Sequence, residues 1–145
     1  FIKEMKKHSK SSEKEIIKAW NSIILDLPYE RVKILKDLSK NYKLFLLSNT
    51  NQIHINHIKQ KIGKERYLDL YGTFDKVYYS HEIGLRKPDE EIFKFVIKKE
   101  KIIPTETFFI DDSIQHTNSA KKLGIKTYHL NNNEDIINLF PDIIQ

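Results

Sequence analysis

Residues 108–113 read Phe-Phe-Ile-Asp-Asp-Ser, and that run limits what the chain can become more than any other. Three consecutive apolar residues mark a strand buried on both faces, which is what a parallel sheet produces. Two adjacent carboxylates then stand where the strand must stop. Neighbouring acids repel each other, so a fold gains little from placing them at a strand end without a cation to share. In open α/β sheets the ligand crevice forms at the carboxyl ends of the strands. A hard, oxygen-liganded ion such as Mg²⁺ is the natural occupant. Taken alone, the pair has a second reading, in which Asp112 or Ser113 caps a helix starting near Ile114. Both readings stand open at this point.

The rest of the chain supplies the context such a strand needs. Leu44-Phe45-Leu46-Leu47 is a second apolar run, closed by Ser48-Asn49-Thr50, and Phe74–Tyr79 and Lys126–Leu130 read as two more strands. Between them the apolar positions take helical spacing over about Gln52–Ile62, Asp89–Glu100 and Ile114–Leu123, with glycines 63 and 124 closing two of these helices. Two further helices are expected upstream, over about Ser12–Leu25 and Tyr29–Asn41. Residues 64–73 are ambiguous, a short helix and a turn at Gly72. Residues 1–12 are Lys- and Ser-rich and carry no clear element, and a terminal helix follows Asn133. Strands alternating with helices predict an α/β fold, a Rossmann-like three-layer arrangement with a parallel sheet between helices.

Composition excludes several classes. At 145 residues the chain amounts to one domain, and 39% hydrophobic with 31% charged residues fits a globular protein. No apolar run is long enough to span a bilayer, so no membrane is expected. The net charge of +5 comes from lysines scattered over several helix faces, which reads as solvated surface rather than a nucleic-acid footprint. With no cysteine there is neither a disulfide framework nor a thiolate metal site, which suits a cytoplasmic protein. Nothing in the sequence sets an oligomeric state.

Three features now fall at strand ends: Ser48-Asn49-Thr50, Lys87 within Gly84-Leu85-Arg86-Lys87-Pro88-Asp89, and Asp111-Asp112. In a parallel sheet these ends share one edge. Together they offer hydroxyl and amide donors, a fixed positive charge and a pair of acids, which is the set phosphoryl transfer requires. Each has a plainer account. Ser48 or Thr50 could cap the helix at Gln52, and a single lysine is by default solvated. Pro88 fixes the backbone beside Lys87 and suits the N1 position of a helix. Arg86 reads as a surface residue, and His54, His81 and His116 as satisfied surface or loop histidines.

The order Leu-Leu-Ser-Asn-Thr, Gly-Leu-Arg-Lys-Pro-Asp, Phe-Ile-Asp-Asp-Ser resembles the haloacid dehalogenase-like hydrolase superfamily, and within it the branch of phosphatases with a helical cap. The resemblance covers about Tyr29–Leu130. It implies a Mg²⁺-dependent phosphatase acting on a small phosphomonoester such as a sugar phosphate through an aspartyl-phosphate. By the same resemblance Ser48 and Asn49 bind the transferring phosphoryl group, and Lys87 neutralises it and the nucleophile. Asp112 ligates Mg²⁺, with Asp111 as second ligand or outer-shell partner. Residues 1–27 would be the last part of the cap and 28–145 the hydrolase core.

The sequence departs from the pattern in one respect. The family's nucleophile is the first acid of an Asp-x-Asp at the end of the first, central strand, upstream of the Ser48 motif. Residues 1–47 contain no such motif; Asp26 and Asp37 fall in predicted helices or at their ends. The expectation is therefore a core without its first strand, leaving an interruption between the strands ending at Ser48 and Asp111. An alternative reading is a catalytically inactive remnant that binds phosphate or a partner.

Overall fold

The computed structural model describes residues 1–24 and 26–140. The predicted strands become short parallel strands, the first three each followed by an α-helix: β1 (Phe45–Ser48), β2 (Lys76–Tyr79), β3 (Phe108–Asp111) and β4 (Lys126–His129). Strand β1 pairs with β2 from Phe45↔Lys76 to Ser48↔Tyr79, and β3 pairs with β4 from Phe108↔Lys126 to Asp111↔His129. Among the described residues these are two separate two-stranded sheets, β1-β2 and β3-β4. The expected interruption falls between the strands ending at Ser48 and Asp111. This is the α/β, Rossmann-like arrangement predicted by the alternation of elements.

The helices are α1 (Ile2–His8), α2 (Glu13–Asn21), α3 (Tyr29–Leu38), α4 (Gln52–Ile62), α5 (Lys64–Tyr71), α6 (Ser80–Ile83), α7 (Glu90–Glu100) and α8 (Ile114–Lys122). Helix α2 opens on a capping box: the Ser12 hydroxyl accepts from the Glu15 N–H, and the Glu15 carboxylate accepts from the Ser12 N–H at 2.8 Å. Its predicted end at Leu25 lies outside the described residues. Gly63 at φ 83° separates α4 from α5, a conformation that a Cβ would penalise. Short α6 stops at Gly84, left-handed at φ 70°.

Three local expectations are corrected. Residues 2–8 form α1, where Glu4 pairs with Lys7 at 2.8 Å. It buries no residue of its own, so no apolar stripe announces it; the Phe1 ring instead lies tilted against Trp20 at 4.2 Å. Pro88 is not at a helix N1 position, because α7 starts at Glu90 with Asp89 as its N-cap residue. The terminal helix is a 3₁₀ turn, Ile136–Leu139, held to α3 by Arg31 Nη2 on Asp135 Oδ2 at 2.8 Å.

Helices α7 and α8 carry the core that joins the two sheets. Ile92 and Phe93 of α7, Ala120 of α8 and Ile125 are buried together, and Leu47 of β1 and Phe109 of β3 pack against them. The Phe93 and Phe109 rings meet edge to face at 5.3 Å. Both strand pairs are thus seated on one apolar floor, which aligns their carboxyl ends. Ile92 is 0% exposed, so Ile92→Ala will cost about 2–5 kcal/mol through lost burial and the cavity left behind; urea unfolding checks this. No helix among the described residues is long and apolar enough to cross a membrane.

Candidate active site

The loop after β1 is built to leave Ser48 and Thr50 free of capping duty. Asn51 takes the N-cap of α4, its Oδ1 accepting from the His54 N–H at 3.1 Å. Thr50 is held instead by the end of β2: its N–H donates to Ser80 Oγ at 3.1 Å, and its carbonyl accepts from Ser80 Oγ at 3.2 Å. That carbonyl also accepts from His81 Nδ1 at 3.1 Å, which sets the proton of the exposed imidazole on Nδ1. The register partner of Ser48 is Tyr79, a buried phenol 3.2 Å from the Tyr67 hydroxyl. Burial first, then its hydrogen bonds to Tyr67 and Tyr71, push the Tyr79 phenol far above its ordinary range.

Lys87 lies at the centre of the site. It is 6% exposed, where an unpaired ammonium would be costly. Its Nζ donates to the Leu47 carbonyl of β1 at 2.7 Å and to Asp111 Oδ2 of β3 at 2.7 Å, and it stands 5.5 Å over the Phe109 ring. One ammonium therefore bridges the two sheets at their carboxyl ends. Its main chain is gripped by Asn49, which receives the Lys87 N–H on Oδ1 at 2.9 Å and donates from Nδ2 to the Lys87 carbonyl at 2.7 Å. Ser48, the last residue of β1, stands in the chain between Leu47 and Asn49, both of which bond Lys87. Arg86, next to it, is exposed.

The acid pair divides its work. The Asp111 side chain is 7% exposed and is held by the Lys87 ammonium, the Ser113 N–H at 2.9 Å and His116 Nδ1 at 2.8 Å. Burial pushes its carboxyl up, but the Lys87 hydrogen bond and charge, the Ser113 N–H and His116 outweigh that and leave it below the ordinary carboxylate range. Asp112 is exposed, and its carbonyl accepts from His129 Nε2 at 3.1 Å. Ser113 holds the N-cap position of α8 without a side-chain capping bond, so neither Ser113 nor Asp112 acts as the side-chain cap that the second reading required.

These donors can be tested against a divalent cation. Among the described residues no group of three or more His, Cys, Asp or Glu is gathered to hold a metal. Mg²⁺ does not need one, since it takes one or two carboxylates and fills its other positions with water and phosphate oxygen. An exposed Asp112 carboxylate beside a buried, ion-paired Asp111 fits that demand.

Two histidines differ from their sequence readings. His116 is partly buried and paired with Asp111, because a side chain in the first turn of a helix leans back toward its N-terminus. Its place five residues after Asp111, in a first turn following a strand end, was the available signal. His54 is 4% exposed, its ring 5.4 Å from that of Trp20 and its Nδ1 without a partner. Desolvation, then nearby His57, lowers its pKa. The contact with α2 buries it, and local sequence spacing does not reveal contacts between distant helices.

A sequence profile described as haloacid dehalogenase-like hydrolase matches residues 1–130. The chain is 32% identical over 121 residues to the D-ribitol-5-phosphate phosphatase of Bacteroides thetaiotaomicron, a match covering 83% of this chain and 59% of that protein. The chain thus spans about three fifths of that relative's length. It is 30% identical over 88 residues to the phosphorylated carbohydrates phosphatase of Thermotoga maritima, covering 61% of this chain and 38% of the relative. Among solved structures it superposes with TM-score 0.82 and 40% identity on a haloacid dehalogenase family enzyme of Bacteroides thetaiotaomicron in complex with magnesium and inorganic phosphate. That match covers 92% of this chain and 67% of the other. Strand ends, sheet order and profile agree, and the chain belongs to the haloacid dehalogenase-like hydrolases.

Proposed function

We propose that the whole protein is a Mg²⁺-dependent phosphatase that removes the phosphoryl group from a small phosphomonoester, a phosphorylated sugar or polyol. The observation that carries this is the buried Lys87 ammonium fixed between Leu47 and Asp111 at 2.7 Å from each, with Ser48 ending β1 and exposed Asp112 directly following β3. An ammonium has three donors, and two are committed to protein. The third is left for a phosphoryl oxygen, so the charge is already in place before the negative charge of the transition state develops. Ser48 adds a neutral donor to the same group. Asp112 holds the cation, and Asp111 orients Lys87 rather than ligating in full. A bound Mg²⁺ supplies charge neutralisation to the phosphoryl oxygens.

The nucleophile belongs to the gap in the sheet. Residues 1–24 and 26–44 hold helices and loops but no strand, and β1 and β3 belong to separate two-stranded sheets. A strand placed there, ending in an acid beside Lys87, would complete the sheet and supply an aspartyl-phosphate. Residues 1–27 then belong to the helical cap and 28–145 to the hydrolase core.

The substrate class rests on the two relatives named for D-ribitol 5-phosphate and for phosphorylated carbohydrates. It is tested by comparing kcat/KM of the whole protein on D-ribitol 5-phosphate, hexose phosphates, a nucleoside monophosphate and a phosphopeptide. The open-chain or sugar phosphates should lead by about tenfold or more, the discrimination that polar contacts to substrate hydroxyls provide. A preference for the nucleotide or the peptide would overturn the substrate assignment.

A further inference from the structure

We propose that Asn49 is a positioning residue for Lys87, its side-chain amide clamping the Lys87 main chain. The inference rests on the assignment of Lys87 to the phosphoryl site and specifies how that ammonium is kept in place. Lys87 sits in the connection between α6 and α7, with no strand or helix to satisfy its main chain. Both of its main-chain polar groups are taken by one side chain: the N–H by Asn49 Oδ1 at 2.9 Å, the carbonyl by Asn49 Nδ2 at 2.7 Å. An amide is the side chain that can donate and accept in this parallel fashion, as a neighbouring strand would. One Nδ2 N–H and the Oδ1 of Asn49 are thereby committed to Lys87, which fixes the plane and direction of the amide.

The clamp also links sequence neighbours to a shared task. Leu47 bonds the Lys87 ammonium through its carbonyl, and Asn49, two residues on, bonds the Lys87 main chain. Removing the Asn49 amide leaves two polar groups of a buried residue unpaired, and each such group costs free energy. Relief comes from letting the 84–89 connection move toward water, which withdraws the ammonium from Leu47 and Asp111. Asn49→Asp keeps the acceptor for the Lys87 N–H but sets a carboxylate against the Lys87 carbonyl, so it should lie between wild type and Asn49→Ala.

The test uses the whole protein and reads Lys87 without requiring turnover. Acetic anhydride labelling with peptide-level mass spectrometry follows the modification rate of Lys87 alone, in wild type, Asn49→Ala and Asn49→Asp. Circular dichroism confirms that each variant is folded. Lys87 labelling should rise about tenfold or more in Asn49→Ala, the scale expected for losing two hydrogen bonds to a buried residue, and by less in Asn49→Asp. In the phosphatase assay kcat should fall more than KM rises. Unchanged Lys87 labelling in Asn49→Asp or Asn49→Ala overturns the clamp, as does a variant whose only change is a raised KM, the result of a direct phosphate contact. If wild type hydrolyses no phosphomonoester, the proposed activity fails while the labelling rates still decide the role of Asn49.

Discussion

Lys87→Met will lower stability by about 3–5 kcal/mol and remove phosphatase activity in the same step. The stability loss follows from what the substitution strands. The Lys87 and Asp111 side chains are 8% and 7% exposed, and taking one partner from a buried ion pair leaves the other as an uncompensated charge. Asp111 would keep the Ser113 N–H and His116, and the Leu47 carbonyl would lose its 2.7 Å donor. Methionine fills much of the volume, so the loss reports charge rather than a cavity. Urea unfolding at neutral pH measures it. The pH dependence has a defined sign. The carboxyl of Asp111 is depressed in the folded protein despite the upward push of burial, chiefly by Lys87. A depressed acid adds stability above its unfolded value and loses it as pH falls through the folded value. The gap between wild type and Lys87→Met should therefore be full at neutral pH and shrink below the ordinary carboxylate range.

The second large effect separates chemistry from stability. Asp112→Asn will reduce Mg²⁺-dependent turnover by at least about a hundredfold, the scale on which losing a charge-stabilising group at a phosphoryl site is felt. Its unfolding midpoint should stay within the range of ordinary surface substitutions. Asp112 is exposed, and its own contact to His129 runs through the main-chain carbonyl, which asparagine retains. Asp111→Asn offers the contrast, because it removes the ion pair with Lys87 and should lose stability together with activity. If Asp112→Asn destabilised like Asp111→Asn while retaining turnover, the division of labour between the two acids would be wrong.

The strand ends were legible because parallel strands announce themselves as apolar runs and because the polar residues closing them have no reason to be there for packing alone. Leu44–Leu47 and Phe108–Ile110 located β1 and β3, and the Lys-Pro-Asp setting singled out Lys87, whose bridge between the two sheets is visible only in the structure. What escaped detection depends on contacts between distant segments. The burial of His54 against Trp20 and the pairing of His116 with Asp111 need the third dimension. So does the commitment of Asn49 to Lys87, where a residue 38 positions away satisfies a main chain. Ser48 and Thr50 are open as caps in the sequence because both are good capping residues, yet Asn51 is equally good and lies directly before α4. Helix α1 lacked any signal since it buries nothing.

Ser48, Lys87 and Asp112 are proposed to form one Mg²⁺-dependent phosphoryl site. Inorganic phosphate release from D-ribitol 5-phosphate by the whole protein, followed before and after EDTA and again after Mg²⁺ is restored, tests it most directly. The expected result is release with Mg²⁺, none after chelation, and recovery when the ion returns. No release under any condition, or release untouched by chelation, would contradict it.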